Sequence, residues 1–187
     1  MYVLTSPLAY LPVDLQRWDR DPGGDALVVS MWSDVRPLRG ATGLLDWRLC
    51  GRLSQMVREG RVTGSACEKL LLVTGRLPWK RILAVGVGDS GGFGPESFRA
   101  AVDCSLAALR GIGARSIAIA LPGRDIDRIR PELAVHDFLA AVEHDQKTCG
   151  PWVEHLTIVD PVPPTKAGGN LVRPKPPLVD DRGGSSG

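Results

Sequence analysis

Apolar and polar residues occur along the chain in blocks whose lengths are typical of alternating strands and helices. The clearest block, Arg81–Gly123, contains an apolar run, a glycine-rich stretch, a helical repeat of apolar residues and a second apolar run. Its two runs, Arg81–Val87 and Ser116–Leu121, predict strands. Pro95 predicts the start of the helix between them, because proline has no amide hydrogen to leave unpaired in a first turn. This order of strand, helix and strand is typical of a parallel sheet.

Further elements are predicted on both sides of this block. Asp25–Trp32 has the apolar centre of a strand that is covered on both faces. Leu44–Glu59 repeats apolar residues at helical spacing and predicts one amphipathic helix. Ser6–Gly24 is expected to be irregular because three prolines interrupt it. The remaining predictions are an N-terminal edge strand, a short strand in a hairpin with the one after it, a long helix and a last strand, at Tyr2–Thr5, Lys69–Thr74, Pro131–Lys147 and within Trp152–Val159.

Together these elements predict a three-layer α/β/α fold with a mixed sheet of about six strands and about three helices on its two faces. We assign residues 1–160 to this domain. Residues 161–187 are rich in proline, glycine and serine. We expect a flexible tail there, because such a composition buries too little apolar surface to offset the cost of ordering. The PxxP at Pro174–Pro177 is a weak match to the segments that bind aromatic grooves.

Composition narrows the classes of function. The chain has 187 residues, of which 43% are hydrophobic and 24% charged, as expected of a globular domain with a substantial core. The formal net charge is +2 and the basic residues are scattered, which disfavours nucleic acid as a partner. No apolar run approaches the roughly 20 residues of a membrane-spanning helix, and the N-terminus does not resemble a signal peptide. We therefore expect a cytoplasmic protein without a membrane partner.

Candidate metal, redox and nucleophilic residues form no recognisable motif. His136 and His144 lie eight positions apart on a predicted helix, which is more than two turns, so they cannot share a metal ion. No GxSxG elbow supports serine catalysis. The cysteines are widely spaced without a CxxC pair, and we expect free thiols in a reducing cytoplasm. The four cysteines are Cys50, Cys67, Cys104 and Cys149. We predict no metal and no cofactor.

Gly86–Gly91 matches the pattern GxGxxG between a predicted strand and a predicted helix. In dinucleotide-binding proteins these glycines let the backbone approach a pyrophosphate at the helix N-terminus. Here Pro95 starts the helix after the motif, and the first acidic residue beyond the next strand, Asp125, comes too late to bind a ribose. We interpret the glycines as a connection and keep the stretch as the candidate ligand-binding site. Its residues are Gly86, Gly88, Asp89, Ser90, Gly91 and Gly92.

The order of four local strings resembles the N-terminal domain of leucyl aminopeptidases, which are hexameric dinuclear-metal exopeptidases. That family shows a strand ending in Gly-x-Gly, a helix opened by Pro-Glu and a strand ending in Leu-Pro. The resemblance implies that the metal ligands and the catalytic lysine and arginine belong to a separate C-terminal domain. It implies no peptidase residue in this chain, so we expect a non-catalytic regulatory module that binds protein, either a second copy or another chain. The strings are Asp25–Val29, Leu53–Glu59 leading through Gly64 to Glu68–Leu72, Arg81–Gly88, and Gly94–Ala101 followed by Ser116–Pro122.

The N-terminal domain of that family is similar in fold to macro domains, which bind ADP-ribose. In macro domains the strand equivalent to Asp25–Trp32 continues into Asn-Ala-Ala-Asn, where this chain has Val-Ser-Met-Trp and no side-chain amide. Gly40–Gly43 and Gly86–Gly92 can stand in for glycine segments of that site. Binding of a nucleotide by Gly86–Gly92 is therefore the alternative function, and nucleic-acid binding is the second alternative. The cleft beside this stretch is either open or filled by side chains such as Trp32 or Phe93.

Overall fold

The computed structural model describes residues 8–75, 77–161 and 173–174. Within these residues the chain forms seven strands and five helices. In chain order they are β1 (Ala9–Leu11), α1 (Leu15–Arg20), β2 (Gly24–Trp32), α2 (Gly40–Arg48), α3 (Arg52–Arg58), β3 (Lys69–Val73), β4 (Trp79–Gly88), α4 (Pro95–Gly111), β5 (Ser116–Ala120), α5 (Pro131–Cys149), β6 (His155–Val159) and β7 (Arg173–Pro174). In this described part of the chain, no helix is long and apolar enough to cross a bilayer.

The described strands form a single sheet in the order β3-β4-β2-β5-β6-β1-β7. The hairpin partners β3 and β4 are antiparallel, and the other neighbouring strands are parallel. The predicted α/β fold with a mixed sheet of about six strands is confirmed, and the described residues form seven strands. The additional strand, β7, pairs with β1 through Arg173 and Pro174, which belong to the predicted tail.

Two hydrophobic clusters lie on opposite faces of the sheet, and together they produce the three layers. Strand β2 contributes to both, because successive side chains point to opposite faces. Its Ala26 and Val28 join the cluster that contains Phe98 of α4 and Phe138 of α5. Leu27 and its alternate neighbours join the cluster formed with α1, α2 and α3. The prediction that this strand is buried on both faces is confirmed.

The single helix predicted over Leu44–Glu59 is wrong, because the chain forms α2 and α3 with a break between them. At the break, Cys50 has φ 56° and Gly51 has φ 78°, which is left-handed backbone that ends a helix. Asp46 stabilises the break from inside α2. Its carboxylate accepts hydrogen bonds from the Leu53 amide at 2.8 Å and the Ser54 amide at 3.1 Å. The apolar period continues across the break, so periodicity alone does not reveal it.

The N-terminal segment is more regular than predicted. Ser6–Gly24 was expected to be irregular, but its described part contains β1 and α1. Asp14 begins α1 by accepting a hydrogen bond from the Arg17 amide at 2.9 Å, and Trp18 of α1 packs edge-on against Trp79 at 5.7 Å. The strand predicted at Tyr2–Thr5 lies outside the described residues. So does most of the predicted tail.

Two details of the sequence interpretation are also wrong. The apolar pattern of Pro131–Lys147 predicts Leu133 as a core contact of the long helix, but this residue is 38% exposed on α5. The expectation of four free thiols fails for Cys67 and Cys104, which form a disulfide with 5.8 Å between their Cα atoms. This bond links the segment before β3 to α4. The other two cysteines, Cys50 and Cys149, are exposed and take no part in this disulfide.

Candidate functional site

The carboxyl ends of β2, β4 and β5 meet at one edge of the sheet. In open α/β sheets, ligands bind in the crevice outside these strand ends. The loop after β2 contains Asp34, the loop after β4 is the predicted glycine-rich site, and the loop after β5 contains Asp125. The first two loops are joined where Ser33 donates its amide to the carbonyl of Gly88 at 3.0 Å. This edge is therefore the place to look for a ligand.

The amide that opens the glycine-rich loop is already hydrogen-bonded to a carboxylate. Ser90 donates its backbone N–H to Oδ1 of Asp34 at 3.0 Å and its hydroxyl to Oδ2 at 2.7 Å. The Ser90 hydroxyl is the main cause that holds the pKa of Asp34 below its usual range. Asp34 therefore remains ionised at neutral pH, and its charge lies against the glycine-rich loop.

The next two amides of the loop are occupied in the same way. Asp89 turns its carboxylate back on the loop, so that Oδ1 accepts from the amide of Gly91 at 2.8 Å and of Gly92 at 3.3 Å. Successive amides that converge on one point are typical of anion-binding nests. Here the anions are supplied by the chain itself, because Asp34 and Asp89 accept from all three amides.

Gly86 and Gly88, the first two glycines of the motif, lie within β4. Gly86 donates to the carbonyl of Glu68 at 2.7 Å and accepts from the amide of Cys67 at 2.9 Å. A Cβ atom at Gly86 would overlap the carbonyl oxygen of Ser65. Gly86 is therefore needed for the close approach of another backbone segment of this domain. The structure brings Asp89 and residues 90–92 together in the loop and separates Gly86 from them.

An aromatic pair fills the space between the three loops. The rings of Trp32 and Phe93 meet edge to face with centroids 4.8 Å apart, and the two residues are only 3% and 8% exposed. Phe93 also lies against the backbone of the β5 loop, where a Cβ at Gly123 would be 2.6 Å from its ring. Of the two alternatives that the sequence leaves, an open or a filled cleft, the structure shows the second, because Trp32 and Phe93 fill the cleft beside the loop.

A third carboxylate lies at the base of this pair. The Trp32 indole N–H donates to Oδ2 of Asp125 at 2.8 Å. Oδ1 of Asp125 is buried and has no hydrogen-bond partner among the described residues. Burial raises the pKa of Asp125, and the hydrogen bond from Trp32 opposes that rise. The first turn of α2 packs closely here, because a Cβ at Gly40 would be 2.6 Å from Cβ of Asp125.

The neighbouring strand ends hold a buried ion pair. Arg124 donates its Nε to Oδ2 of Asp160 at 2.8 Å and its Nη2 to Oδ1 at 3.2 Å, and the two side chains are 6% and 2% exposed. A third hydrogen bond runs from Nη1 to the carbonyl of Ile129 at 2.8 Å, so each nitrogen of the guanidinium donates at least once. The Tyr10 hydroxyl donates to the Asp160 carbonyl, and burial raises the pKa of Tyr10 well above its usual range. This cation is used within the fold and does not face the loop amides.

Sequence reasoning overlooked the two carboxylates that come from outside the glycine-rich loop. Asp34 was not considered, and Asp125 was considered only as a ligand for a ribose. Both lie just after predicted strands, which is the one sequence signal that points to the carboxyl edge of the sheet. Among the described residues there is no group of three or more histidine, cysteine, aspartate or glutamate side chains placed to hold a metal ion.

Comparison with known proteins gives consistent results for sequence and fold. Residues 28–144 match the family model described as the N-terminal domain of the cytosol aminopeptidase family. The chain is 27% identical over 105 residues to a probable cytosol aminopeptidase of Synechocystis, and 30% identical over 96 residues to one of Pseudomonas syringae. These segments cover 56% and 51% of this chain, but only 21% and 19% of the relatives. The chain thus matches about a fifth of their length.

Solved structures share the fold at low sequence identity. A mutant tomato leucine aminopeptidase superposes with a TM-score of 0.59 at 20% identity, over 86% of this chain and 33% of that one. A Trypanosoma brucei macrodomain in complex with ADP gives 0.64 at 18% identity, over 83% and 64%. The same macrodomain in complex with ADP-ribose gives 0.60 at 19% identity, over 74% and 59%. The macro-domain-like fold expected from the sequence is confirmed.

Proposed function

This chain belongs to the cytosol aminopeptidase family, because it matches the model of that family's N-terminal domain over residues 28–144, and we propose that it is a non-catalytic regulatory module. We infer that it acts through contacts with protein. The observation that carries this proposal is the state of the cleft. Trp32 and Phe93 fill it, and carboxylates of the chain accept the hydrogen bonds of the loop amides. Because the chain's own side chains fill the cleft at the strand ends, the proposal assigns recognition to the outer surface of the domain.

The absence of peptide hydrolysis is the first part of the proposal to test. The resemblance assigns the metal ligands of the family to a C-terminal domain, and the match to the curated relatives lies within about a fifth of their length. We expect the purified chain to release no product from leucine p-nitroanilide in the presence of Mn²⁺ or Zn²⁺. Release that rises in proportion to protein concentration and is abolished by a chelator would overturn the proposal.

Nucleotide binding is the second candidate function, because the T. brucei macrodomain of similar fold is described in complexes with ADP and ADP-ribose. Three carboxylates at the loop edge, from Asp34, Asp89 and Asp125, oppose a diphosphate by charge repulsion. We expect no heat of binding when millimolar ADP-ribose or NAD is added in a calorimeter. Heat of binding that is measured with the wild type and lost in Gly92→Val would instead support nucleotide binding by the glycine-rich loop. This variant should keep its fold, because the surroundings of Gly92 are open.

Nucleic-acid binding is the remaining alternative and has the least support. The formal net charge of +2 supplies little attraction to a phosphate backbone. We expect no gel shift with duplex DNA or RNA at 50 mM salt. A shift that weakens steeply as salt is raised would contradict this expectation, because phosphate contacts release counterions.

A further inference from the structure

Strand β3, at one edge of the sheet, is apolar and has exposed hydrophobic side chains. Large hydrophobic side chains that are exposed in the described part of the chain are Trp47, Leu71, Val73 and Leu133, so two of the four lie on β3. Leu71 is 44% exposed and Val73 is 75% exposed. The strand at the other edge, β7, has two described residues, and one of them is proline, which blunts an edge. The centre of β3, Leu70–Leu72, contains neither a proline nor a charged residue.

Among the described strands, β3 has a neighbour on one side only, so half of its backbone groups face the open edge. Gly86 donates to the carbonyl of Glu68 at 2.7 Å, so this carbonyl points toward β4 just before the ladder of β3 and β4 begins at Lys69 and Val85. Hydrogen-bonded and non-hydrogen-bonded pairs alternate in an antiparallel ladder. The N–H and C=O groups of Lys69, Leu71 and Val73 therefore point away from β4, toward the open edge of the sheet.

We propose that β3 pairs antiparallel with β3 of a second copy of this chain, around a two-fold axis at Leu71. This inference rests on the proposed function and names the protein partner. Around that axis Leu71 faces its own copy and Lys69 faces Val73, so the outward backbone groups of both strands match each other. The register places the three outward residues of each strand in about six inter-strand hydrogen bonds.

Charge and burial support a second copy as the occupant. The single charged residue of β3 is Lys69, and the two-fold register sets it against Val73 instead of its own copy. Like charges directly opposite one another would destabilise the pair. Leu71 and Val73 lie on the same face of β3, so the second copy covers both exposed side chains at once. The two sheets become one continuous sheet through the shared edge.

The size of the contact predicts a weak dimer. Pairing of two five-residue strands buries less than the roughly 1,200 Å² of a stable interface. We therefore expect a dissociation constant on the order of 10–100 µM, measured as a rise in average mass by sedimentation velocity between low and high micromolar protein. A chain that remains monomeric at several hundred micromolar contradicts the proposal.

Charge reversal of the apolar surface is the direct test. Leu71→Lys and Val73→Lys each put like charges close to the axis, and we expect both to weaken dimerisation at least tenfold. The matched control is Leu133→Lys, an equally drastic change at an exposed leucine on α5, which should leave the dimer unchanged. A dimer that persists in both β3 variants, or that is lost in the control, overturns the assignment of the interface.

Cross-linking tests the register independently of affinity. In a Cys50→Ser, Cys149→Ser background, Leu71→Cys should form a disulfide dimer on mild oxidation, because paired Cα atoms about 5.5 Å apart are within disulfide range. Val73→Cys alone should not, since it faces Lys69. Efficient cross-linking through Val73→Cys, or none through Leu71→Cys at dimer-forming concentration, overturns the two-fold register.

Failure of this inference and failure of the proposed function give different results. A chain that neither dimerises nor cross-links, but also neither hydrolyses peptides nor binds ADP-ribose, removes the second copy as the partner and leaves the module proposal standing. Peptidase activity or ADP-ribose binding removes the module proposal, whatever the oligomeric state.

Discussion

The indole N–H of Trp32 donates a hydrogen bond of 2.8 Å to the carboxylate of Asp125, across 93 residues of sequence. This contact joins the end of β2 to the loop after β5, and the Trp32 ring also packs on Phe93. The other carboxylate oxygen of Asp125 is buried and unpaired among the described residues. The same carboxylate therefore closes the cleft and is itself poorly solvated.

The effect of Asp125→Asn on the free energy of unfolding should become more favourable as the pH rises. Burial raises the pKa of Asp125, so the folded protein holds this proton to a higher pH than the unfolded chain does. The sign follows from proton linkage. Between the unfolded and the folded pKa, the unfolded chain loses this proton while the folded protein keeps it, so the free energy of unfolding falls as the pH rises. The full cost applies above the folded pKa. The free energy of unfolding of Asp125→Asn, minus that of the wild type, should increase from pH 4.5 to pH 7.5 in urea titrations.

The hydrogen bond itself is measured by Asp125→Ala. At pH 4.5 this variant should lose about 1 kcal/mol, which is the typical net contribution of one hydrogen bond. Glu96→Gln, on the exposed first turn of α4, serves as the control for removal of a carboxylate. An Asp125→Asn difference that is flat with pH would show that ionisation of this group does not affect folding.

Gly86→Ala and Gly92→Ala should have very different effects on stability, although both glycines belong to the GxGxxG stretch. A methyl group at Gly86 overlaps the Ser65 carbonyl, and nothing lies within 4 Å of one at Gly92. We expect Gly86→Ala to lower the free energy of unfolding by about 3 kcal/mol or more, and Gly92→Ala to change it by less than about 0.5 kcal/mol. Chemical denaturation gives both values, and equal losses would contradict this account of Gly86.

Asp46→Ala should loosen the start of α3. The Asp46 carboxylate accepts from the amides of Leu53 and Ser54 and from the Ser54 hydroxyl, and the residue is buried. Removal leaves buried amides unpaired, at a cost of about 2–3 kcal/mol. Asp46→Asn retains an acceptor for the amides and should cost less. Hydrogen exchange at the Leu53 and Ser54 amides should speed up in the alanine variant, and unchanged protection there would be inconsistent with this capping role.

The cysteine pairing is open to a direct count of thiols. In denaturant without reductant, alkylation of the oxidised protein should label two cysteines, Cys50 and Cys149, and after reduction it should label four. Replacing both Cys67 and Cys104 by serine should lower the stability of the oxidised protein by about 4 kcal/mol, as expected for a bond that spans 37 residues. Four labels before reduction, in protein purified without reductant, would contradict the pairing.

The elements of the sheet centre were predictable because their signals are local. The predicted strand Asp25–Trp32 is observed as Gly24–Trp32, and α4 begins at Pro95 as predicted. Proline at a first helical turn and a doubly covered strand are properties of adjacent residues. Local signals failed at α2 and α3, where the apolar period runs on through a break that Asp46 stabilises from seven residues away. The period shows which face is buried and not where the hydrogen-bond ladder stops.

The candidate site likewise has features that follow from the sequence and features that depend on the tertiary structure. The sequence by itself determined the family resemblance and the macro-domain-like fold, and it singled out the glycine-rich loop as the candidate site. Only the tertiary structure decided the state of that loop, because the groups that close it come from separate strand ends: Asp34 binds Ser90, Phe93 packs on Trp32, and Trp32 binds Asp125. Contacts between residues so distant in sequence leave no periodic pattern, since each depends on the order in which the strands assemble. The exposed edge at Leu71 has the same origin, because an apolar strand is an edge only through its place in the sheet.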